Sequence, residues 1–405
     1  MNQEHARKEQ NEETTVDRGV GVGRPEESAD GGGSRKGSKS AFPALEPWGW
    51  DAAWQAALDA DSSELLPARV IRQARHIYTL ITAPEAKRLE AEVSGAFAYR
   101  VAGPGEYPAA GDWVLFETEK RRIQRVLPRR TAVRRNSAGE ESLEQVITAN
   151  VELLFLVFGL DGGRNFTLGM LERSLLTAWN SGARPVVVLN KADLASEEHI
   201  ERCRLETETN APGVDIHVVS ALRGDGLREL LSAAKPGRTV GMLGKSGVGK
   251  SALLNALVTG ASGRVDEPGP AKVGEQRRRD LQGRHTTSHE ELYLLPSGAI
   301  LADVPGLREL KLWGEGDELG IAFPEIEELA RECRFSDCAH GGEPGCRVQE
   351  ALATGELPLE RYERYLEYRK ELAYLHRRRD ERAAAEEQKK WKRIAQEQRR
   401  IKKER

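Results

Sequence analysis

Cysteine is scarce in this chain, with four among 405 residues, too few for a disulfide scaffold of that length. Long apolar runs are missing as well. The longest mainly apolar stretch, Val151 to Phe158, falls far short of the ~20 residues that span a bilayer. The opening segment, Met1-Asn2-Gln3-Glu4-His5-Ala6-Arg7-Lys8, lacks the apolar core of a signal peptide. These absences set the expectation of a cytoplasmic protein in a reducing compartment, with no membrane partner. An excess of charge of one sign is also lacking: Lys+Arg 61 against Asp+Glu 64 leaves a formal net charge of -3. Net charge therefore gives no reason to expect nucleic-acid binding; only its distribution can. Local basic runs stand at Arg129-Arg130, Arg134-Arg135, Arg277-Arg278-Arg279 and Arg377-Arg378-Arg379. Such runs more often belong to a solvated face than to a binding site.

Hydrophobic residues make up 39% of the chain, low for one packed body, so part of it is expected to be tail. Residues 1–42 are polar, Gly/Ser-rich and without apolar period, and read as disordered. Order is expected to begin near Trp48, Trp50 and Trp54, whose large side chains need burial. From Arg69 to Arg135 short strand-like runs alternate with turn signals: Arg69–Ile71, His76–Ile81, Phe97–Val101, Asp112–Phe116 and Arg122–Leu127. That spacing suits a small closed β-barrel within residues 43–136, with the OB-fold the commonest of this size and an SH3-like barrel fitting nearly as well. From about residue 148 strands and helices alternate. Val151–Phe158, Arg184–Leu189, Val214–Val219, Thr239–Leu243, Leu292–Leu295 and Ala299–Ala302 read as strands. Leu168–Trp179, Leu227–Ala234 and a segment through Leu253, Leu254 and Leu257 read as helices. The pattern predicts a largely parallel α/β sheet with helices on both faces over residues 137–312. A cysteine-bearing helical segment follows over 313–376, and residues 377–405, with 13 basic and 6 acidic side chains, read as a charged helical tail.

Three motifs carry the chemistry. Gly244-Lys245-Ser246-Gly247-Val248-Gly249-Lys250-Ser251 satisfies G-x-x-x-x-G-K-S between an apolar strand and a helix, the context this motif requires. Its backbone N–H groups and the helix N-terminus, through Ala252, are expected to cradle phosphate oxygens. Lys250 would neutralise β- and γ-phosphate charge, and Ser251 would give a hydroxyl to Mg²⁺. Asn190-Lys191-Ala192-Asp193 follows another apolar strand. A carboxylate at Asp193 can accept from guanine N1–H and its exocyclic amine together, and adenine, lacking that donor pair, would leave it unpaired. Asn190 would brace the loop, the Lys191 stem would lie along the base, and Ser220-Ala221 would offer a backbone N–H to guanine O6. Asp303-Val304-Pro305-Gly306 closes the set: Asp303 would hold Mg²⁺ through water and the Gly306 N–H would sense the γ-phosphate.

An ordinary small GTP-binding domain carries the phosphate loop first and the base reader late. Here the order is rotated, which points to a circularly permuted domain that binds GTP in preference to ATP. Leu307 stands where many such enzymes place a glutamine that orients the attacking water. The best local substitute is His285 in Gly283-Arg284-His285-Thr286-Thr287, with Thr286 or Thr287, the latter preferred, completing the Mg²⁺ shell. Cys333, Cys338, His340 and Cys346 offer three thiolates and an imidazole within fourteen residues, a donor set suited to one structural Zn²⁺. Cys203 stands apart and reads as ordinary core.

In these motifs the chain resembles the circularly permuted, small-ribosomal-subunit-dependent GTPases of bacteria. The likeness runs from about Trp48 to Tyr374 and includes Gly111-Asp112-Trp113-Val114, Gln145–Asn150, Asn190–Asp193, Gly244–Ser251, Gly283–Thr287, Asp303–Gly306 and Cys333–Cys346. It implies an N-terminal OB-fold, a central GTPase domain and a C-terminal zinc domain. It also implies late maturation of the small subunit as the role, with its rRNA as partner, and hydrolysis of GTP to GDP stimulated by that subunit. A histidine at the place of His285 and an apolar residue at the place of Leu307 belong to the same resemblance. The long N-terminal tail and the basic segment after His376 depart from it. A signalling switch that binds proteins through its flanking modules is the second reading. A metabolic phosphoryl transferase is the third, and no second substrate site is visible for it. Nothing in the sequence calls for a dimer.

Overall fold

The computed structural model describes residues 40–58, 65–74, 76–101, 103–136, 144–162, 165–259, 290–303, 318–374 and 377. A 3-10 turn, Pro43–Trp48, and a short helix α1 (Ala52–Ala56) capped by Asp51 precede the first strands. The strands β1 (Leu66–Ala74), β2 (Ile77–Thr82) and β3 (Lys87–Val93) lead to helix α2 (Gly95–Arg100). After α2 come β4 (Trp113–Glu117) and β5 (Arg122–Val126). These five strands run in the order β1-β2-β3-β5-β4, and β4 pairs back onto β1 with Leu66 opposite Phe116, so the barrel is closed. Only the β3–β5 pair is parallel.

Period two explains how the barrel is both filled and mounted. Ala68 and Val70 of β1, with Val114 and Phe116 of β4, pack inside against Tyr78, Leu80 and Ile123. The alternate residues, Ile71, Trp113 and Leu115, belong to a second core shared with Trp48, Trp50 and Trp54 and with one face of the following domain. Trp50 meets Trp113 edge-on at 4.8 Å, so the three tryptophans find the burial that their size requires.

Of the expected strand Phe97–Val101, Phe97–Arg100 is instead the last part of α2, with Val101 its C-cap. Its alternation fits a strand, but the Ser94 side chain accepts from the Phe97 N–H and caps a helical turn there. The strand that fills the gap is β3, whose Lys87, Arg88, Glu90 and Glu92 hid its pattern.

A hairpin of β6 (Ala132–Asn136) and β7 (Glu144–Ala149) joins the barrel to the α/β domain. That domain contains β8 (Leu153–Gly159), α3 (Leu168–Ser181), β9 (Arg184–Asn190), α4 (Glu197–Asn210) and β10 (Asp215–Val218). It continues through α5 (Leu227–Ser232), β11 (Thr239–Leu243), α6 (Lys250–Thr259), β12 (Glu290–Leu294) and β13 (Ile300–Asp303). The order β10-β9-β8-β11-β13-β12 is parallel except for β12. β8 is buried at every position, as a central parallel strand must be: Leu154, Leu156 and Phe158 face one core and Leu153, Phe155 and Val157 the other. Helix α3 starts at a Thr167 cap and stops at Gly182, φ 78°. Cys203, on α4, is buried core as expected.

The two sheets are continuous. Barrel strand β1 covers the outer edge of β12, with Arg72 opposite Glu291 and Gln73 opposite Glu290. Helices α7 (Glu318–Ala322), α8 (Pro324–Arg331), α9 (Arg347–Thr354) and α10, over residues 359–374, form the C-terminal segment. It seats on α3, where Leu176 meets Phe323, Tyr365 and Tyr368. The buried Glu172 carboxylate of α3 receives Arg361 at 2.5 Å and Arg364 at 2.8 Å. Among the described residues no helix is long and apolar enough to cross a membrane.

One buried cation fastens the barrel to the α/β sheet. Arg69 is 2% exposed; its guanidinium donates to the Trp48 carbonyl and, at 2.7 Å, to the Thr239 hydroxyl at the start of β11. It also lies over the Trp113 ring, 5.3 Å from the centroid. Burial pulls its pKa down to about 10, so it is still charged at neutral pH. Replacing Arg69 with Leu should destabilise the protein by about 3 kcal/mol, since it strands a buried carbonyl and hydroxyl. Urea unfolding measures this, and a loss below about 1 kcal/mol, ordinary for a surface change, would contradict it.

Candidate nucleotide and metal sites

The described motif residues stand at one edge of the sheet. Parallel strands β9, β11, β13 and β10 end in Asn190–Asp193, Gly244–Ser251, Asp303 and Ser220-Ala221 respectively, the edge where open α/β sheets bind ligands. Asn190 ties them together. It is 1% exposed; its amide Nδ2 donates to the Val248 carbonyl at 2.9 Å, and its Oδ1 accepts from the Ala221 N–H at 3.1 Å. One side chain thus fixes the Asn190–Asp193, Gly244–Ser251 and Ser220 loops to each other. The Ala221 N–H, expected to face guanine O6, donates to Asn190 here, and a base oxygen could only share it.

The phosphate loop has the shape its glycines permit. Gly249 sits at φ 98°, and a Cβ there would collide with Asn190 Nδ2, so only glycine lets the brace pass. Val248 is fully buried and pins the loop to the sheet, while Lys245, Ser246 and Gly247 are exposed. Lys250 opens α6, and its Nζ lies 2.6 Å from the Gly244 carbonyl and 3.0 Å from that of Lys245. The ammonium therefore sits over the loop whose N–H groups would receive phosphate. Ser251 and Ala252 follow in the first turn, at the positive end of the helix dipole.

At the base side, Asp193 Oδ1 accepts from Ser220 Oγ at 2.6 Å, and Ser220 Oγ accepts in turn from the Arg223 N–H. This orients the carboxylate and leaves it lone pairs for further donors. Lys191 takes a left-handed backbone, φ 66°, and its Nζ donates to the Gly247 carbonyl at 2.5 Å and to Asp161 Oδ2 at 2.6 Å. Asp161, just past β8, was not singled out by sequence; its only signal is an acidic side chain at the same strand edge as the motifs. Asp303 ends β13, its backbone opposite Glu291. His285, Thr286, Thr287, Gly306 and Leu307 lie outside the described residues.

With this geometry in hand, the comparisons with known proteins decide the kinship. The model of the RsgA GTPase family matches residues 126–313. A small ribosomal subunit biogenesis GTPase RsgA of Opitutus terrae is 41% identical over 371 residues, 88% of this chain and 97% of the relative. The chain belongs to the RsgA GTPase family. It is accordingly a GTPase, a hydrolase, of circularly permuted order. A second relative, from Oceanobacillus iheyensis, bears the name small ribosomal subunit biogenesis GTPase RsgA 1; it is 37% identical over 85% of this chain and 96% of its own length. A third, from Xylella fastidiosa, is 42% identical over 80% and 95%. Among solved structures, YjeQ from Thermotoga maritima superposes with TM-score 0.57 at 27% identity, over 76% of this chain and 99% of its own. YloQ, described as a circularly permuted GTPase, shares the fold with TM-score 0.53 at 23% identity, over 78% and 98%.

The second site is the cysteine cluster. The donor atoms of Cys333, Cys338, His340 and Cys346 all lie within 4.8 Å of one another. The sulfurs of Cys333 and Cys346 are 3.9 Å apart, and His340 Nδ1 lies 3.4 Å from the Cys346 sulfur. Sulfurs at two corners of a tetrahedron with ~2.3 Å metal bonds would stand about 3.8 Å apart, so the set fits Zn²⁺. Burial, then the Arg369 charge, holds His340 below the ordinary imidazole value, which keeps its nitrogen a donor at neutral pH.

Two arginines of the barrel junction are engaged inside the protein. Arg129 forks onto the fully buried Asp112 at 2.7 and 2.9 Å and also holds the Gly105 and Tyr107 carbonyls. Arg130 pairs with Asp51 at 2.6 Å and covers Trp54. Burial, then the neighbouring Cys346 and Cys333 sulfurs, raises the Cys338 thiol to about 11, so it is protonated across the neutral range. A metal must displace that proton, and affinity should fall about tenfold per pH unit lost for each proton released. Competition with a chromophoric chelator between pH 8 and pH 6 measures the slope; a flat profile would rule out thiolate ligation.

Proposed function

We propose that this protein binds GTP with Mg²⁺ at the Asn190-centred edge and hydrolyses it to GDP while acting in late maturation of the small ribosomal subunit. The observation that supports the site is the Asn190 amide, which ties the Asn190–Asp193, Gly244–Ser251 and Ser220 loops to one another. In this reading Asp193 receives guanine N1–H and the exocyclic amine, and the stem of Lys191 walls the base. The backbone N–H groups of residues 245–252 hold phosphate oxygens, and Lys250 neutralises them. The hydroxyls of Ser251 and Thr287 hold the metal, with Thr286 the alternative, while Asp303 reaches it through water and Gly306 touches the γ-phosphate. His285 takes the water-orienting role that Leu307 cannot.

The biological role is supported by relatives at 37–42% identity over at least 80% of the chain, each named a small ribosomal subunit biogenesis GTPase. The domains are taken as an OB-fold barrel over 43–136, the permuted GTPase over 137–312 and a zinc-binding segment over 313–376, with the β6–β7 hairpin spanning the first junction. The OB-fold, and not an SH3-like barrel, is supported by the closed 1-2-3-5-4 order with α2 between β3 and β4. One structural Zn²⁺ at Cys333, Cys338, His340 and Cys346 would hold the helical segment that seats on α3. The protein is taken to be a cytoplasmic monomer whose barrel and zinc segment meet rRNA of the small subunit.

The deciding experiment measures GTP turnover by the protein alone, with small subunits, with large subunits and with bulk RNA. Stimulation confined to small subunits is the expected result; equal rates in all four would favour a protein-binding switch. In the stimulated assay, His285→Ala should lower turnover by about a hundredfold, the scale of a lost proton-handling or water-orienting group, with GTP affinity preserved. Unchanged turnover would remove His285 from the mechanism.

A further inference from the structure

The β8–α3 loop reaches the nucleotide edge, although no nucleotide-reading motif includes it. Leu160 N–H donates to the Asn190 carbonyl at 2.8 Å, which attaches the loop to the base reader. Next in the chain, Asp161 turns its carboxylate back over the strand end. The Asn165 amide donates to its Oδ1 at 2.9 Å and the Lys191 ammonium to its Oδ2 at 2.6 Å. Gly159 leaves room for this fold-back, since a Cβ there would lie 2.7 Å from Asp161 Oδ1. Burial alone would raise the Asp161 pKa, but the Lys191 and Asn165 hydrogen bonds outweigh it and hold the carboxyl below its ordinary value.

A carboxylate beside a phosphate-binding loop is unfavourable for a nucleotide unless it offsets a cation. Lys191 is that cation, and its Nζ also touches the Gly247 carbonyl at 2.5 Å. With both ends of its reach fixed, the ammonium is neutralised and its four-carbon stem is held in one place.

We infer that Asp161 is a positioning residue of the guanine pocket, pinning the Lys191 ammonium to the phosphate loop so that the lysine stem forms a wall for the base. The inference rests on the nucleotide site proposed above. Asp161 is bonded to Asn165 in its own loop and to Lys191 after β9, and Lys191 in turn reaches the Gly247 carbonyl after β11, so Asp161 joins to the proposed site a loop that leads into α3.

The test is a double-mutant cycle read by calorimetric titration with GDP. Asp161→Asn keeps the side-chain shape and removes the charge. In the wild-type background it should weaken GDP binding about fivefold, the scale of a partly exposed ion pair. In the Lys191→Met background the same change should cause no further loss, and relief of an unpaired carboxylate near the phosphates would show as a gain. Equal losses in both backgrounds would mean that Asp161 only shapes its own loop, and no loss in the wild-type background would mean that Lys191 needs no anchor; either result overturns the inference. If the unaltered protein binds no GDP, the nucleotide-site reading itself fails, an outcome distinct from both.

Discussion

The Asn190 side chain is the constraint on which the proposed nucleotide site depends. A primary amide has one donor end and one acceptor end, and both are used here on the backbones of two other loops. Its burial makes those bonds costly to leave unmade. Three loops that are distant in sequence are therefore held in register by a single residue, and the glycine at 249 exists where that residue passes. Asp193 and Lys191 inherit their positions from it, three and one residues along the same turn.

Much of this site was legible because its chemistry is local. A phosphate loop needs its glycines, lysine and serine within eight consecutive residues, and a guanine reader needs its aspartate close behind a strand. The strand ends could be placed because parallel central strands are apolar on both faces, as β8 shows. Where the reading failed, the determinants were not local or were polar. Phe97–Val101 alternates like a strand, yet one Ser94 hydroxyl starts a helix there. The charged faces of β3 concealed a strand that the barrel needs for closure.

The arginines teach the same lesson from the other side. Arg129-Arg130 reads as a basic run, but their charges are met by Asp112 and Asp51, 17 and 79 residues away in sequence. No local pattern announces such pairings. Asp161 with Lys191 is of the same kind, a contact across 30 residues. The Cys333–Cys346 cluster, by contrast, was legible because all four donors fall in one short segment.

The pairing of β1 with β12 makes the barrel more than an appended module. Open strand edges present rows of unmatched amides and carbonyls that recruit other strands, and here the barrel caps the rim of the GTPase sheet along Arg72 and Gln73. A truncated protein beginning at the β6–β7 hairpin would bare that rim, together with the Thr239 hydroxyl and the apolar patch beneath the tryptophans. Such a fragment would be prone to self-association, so the catalytic half of this molecule cannot be treated as a portable unit.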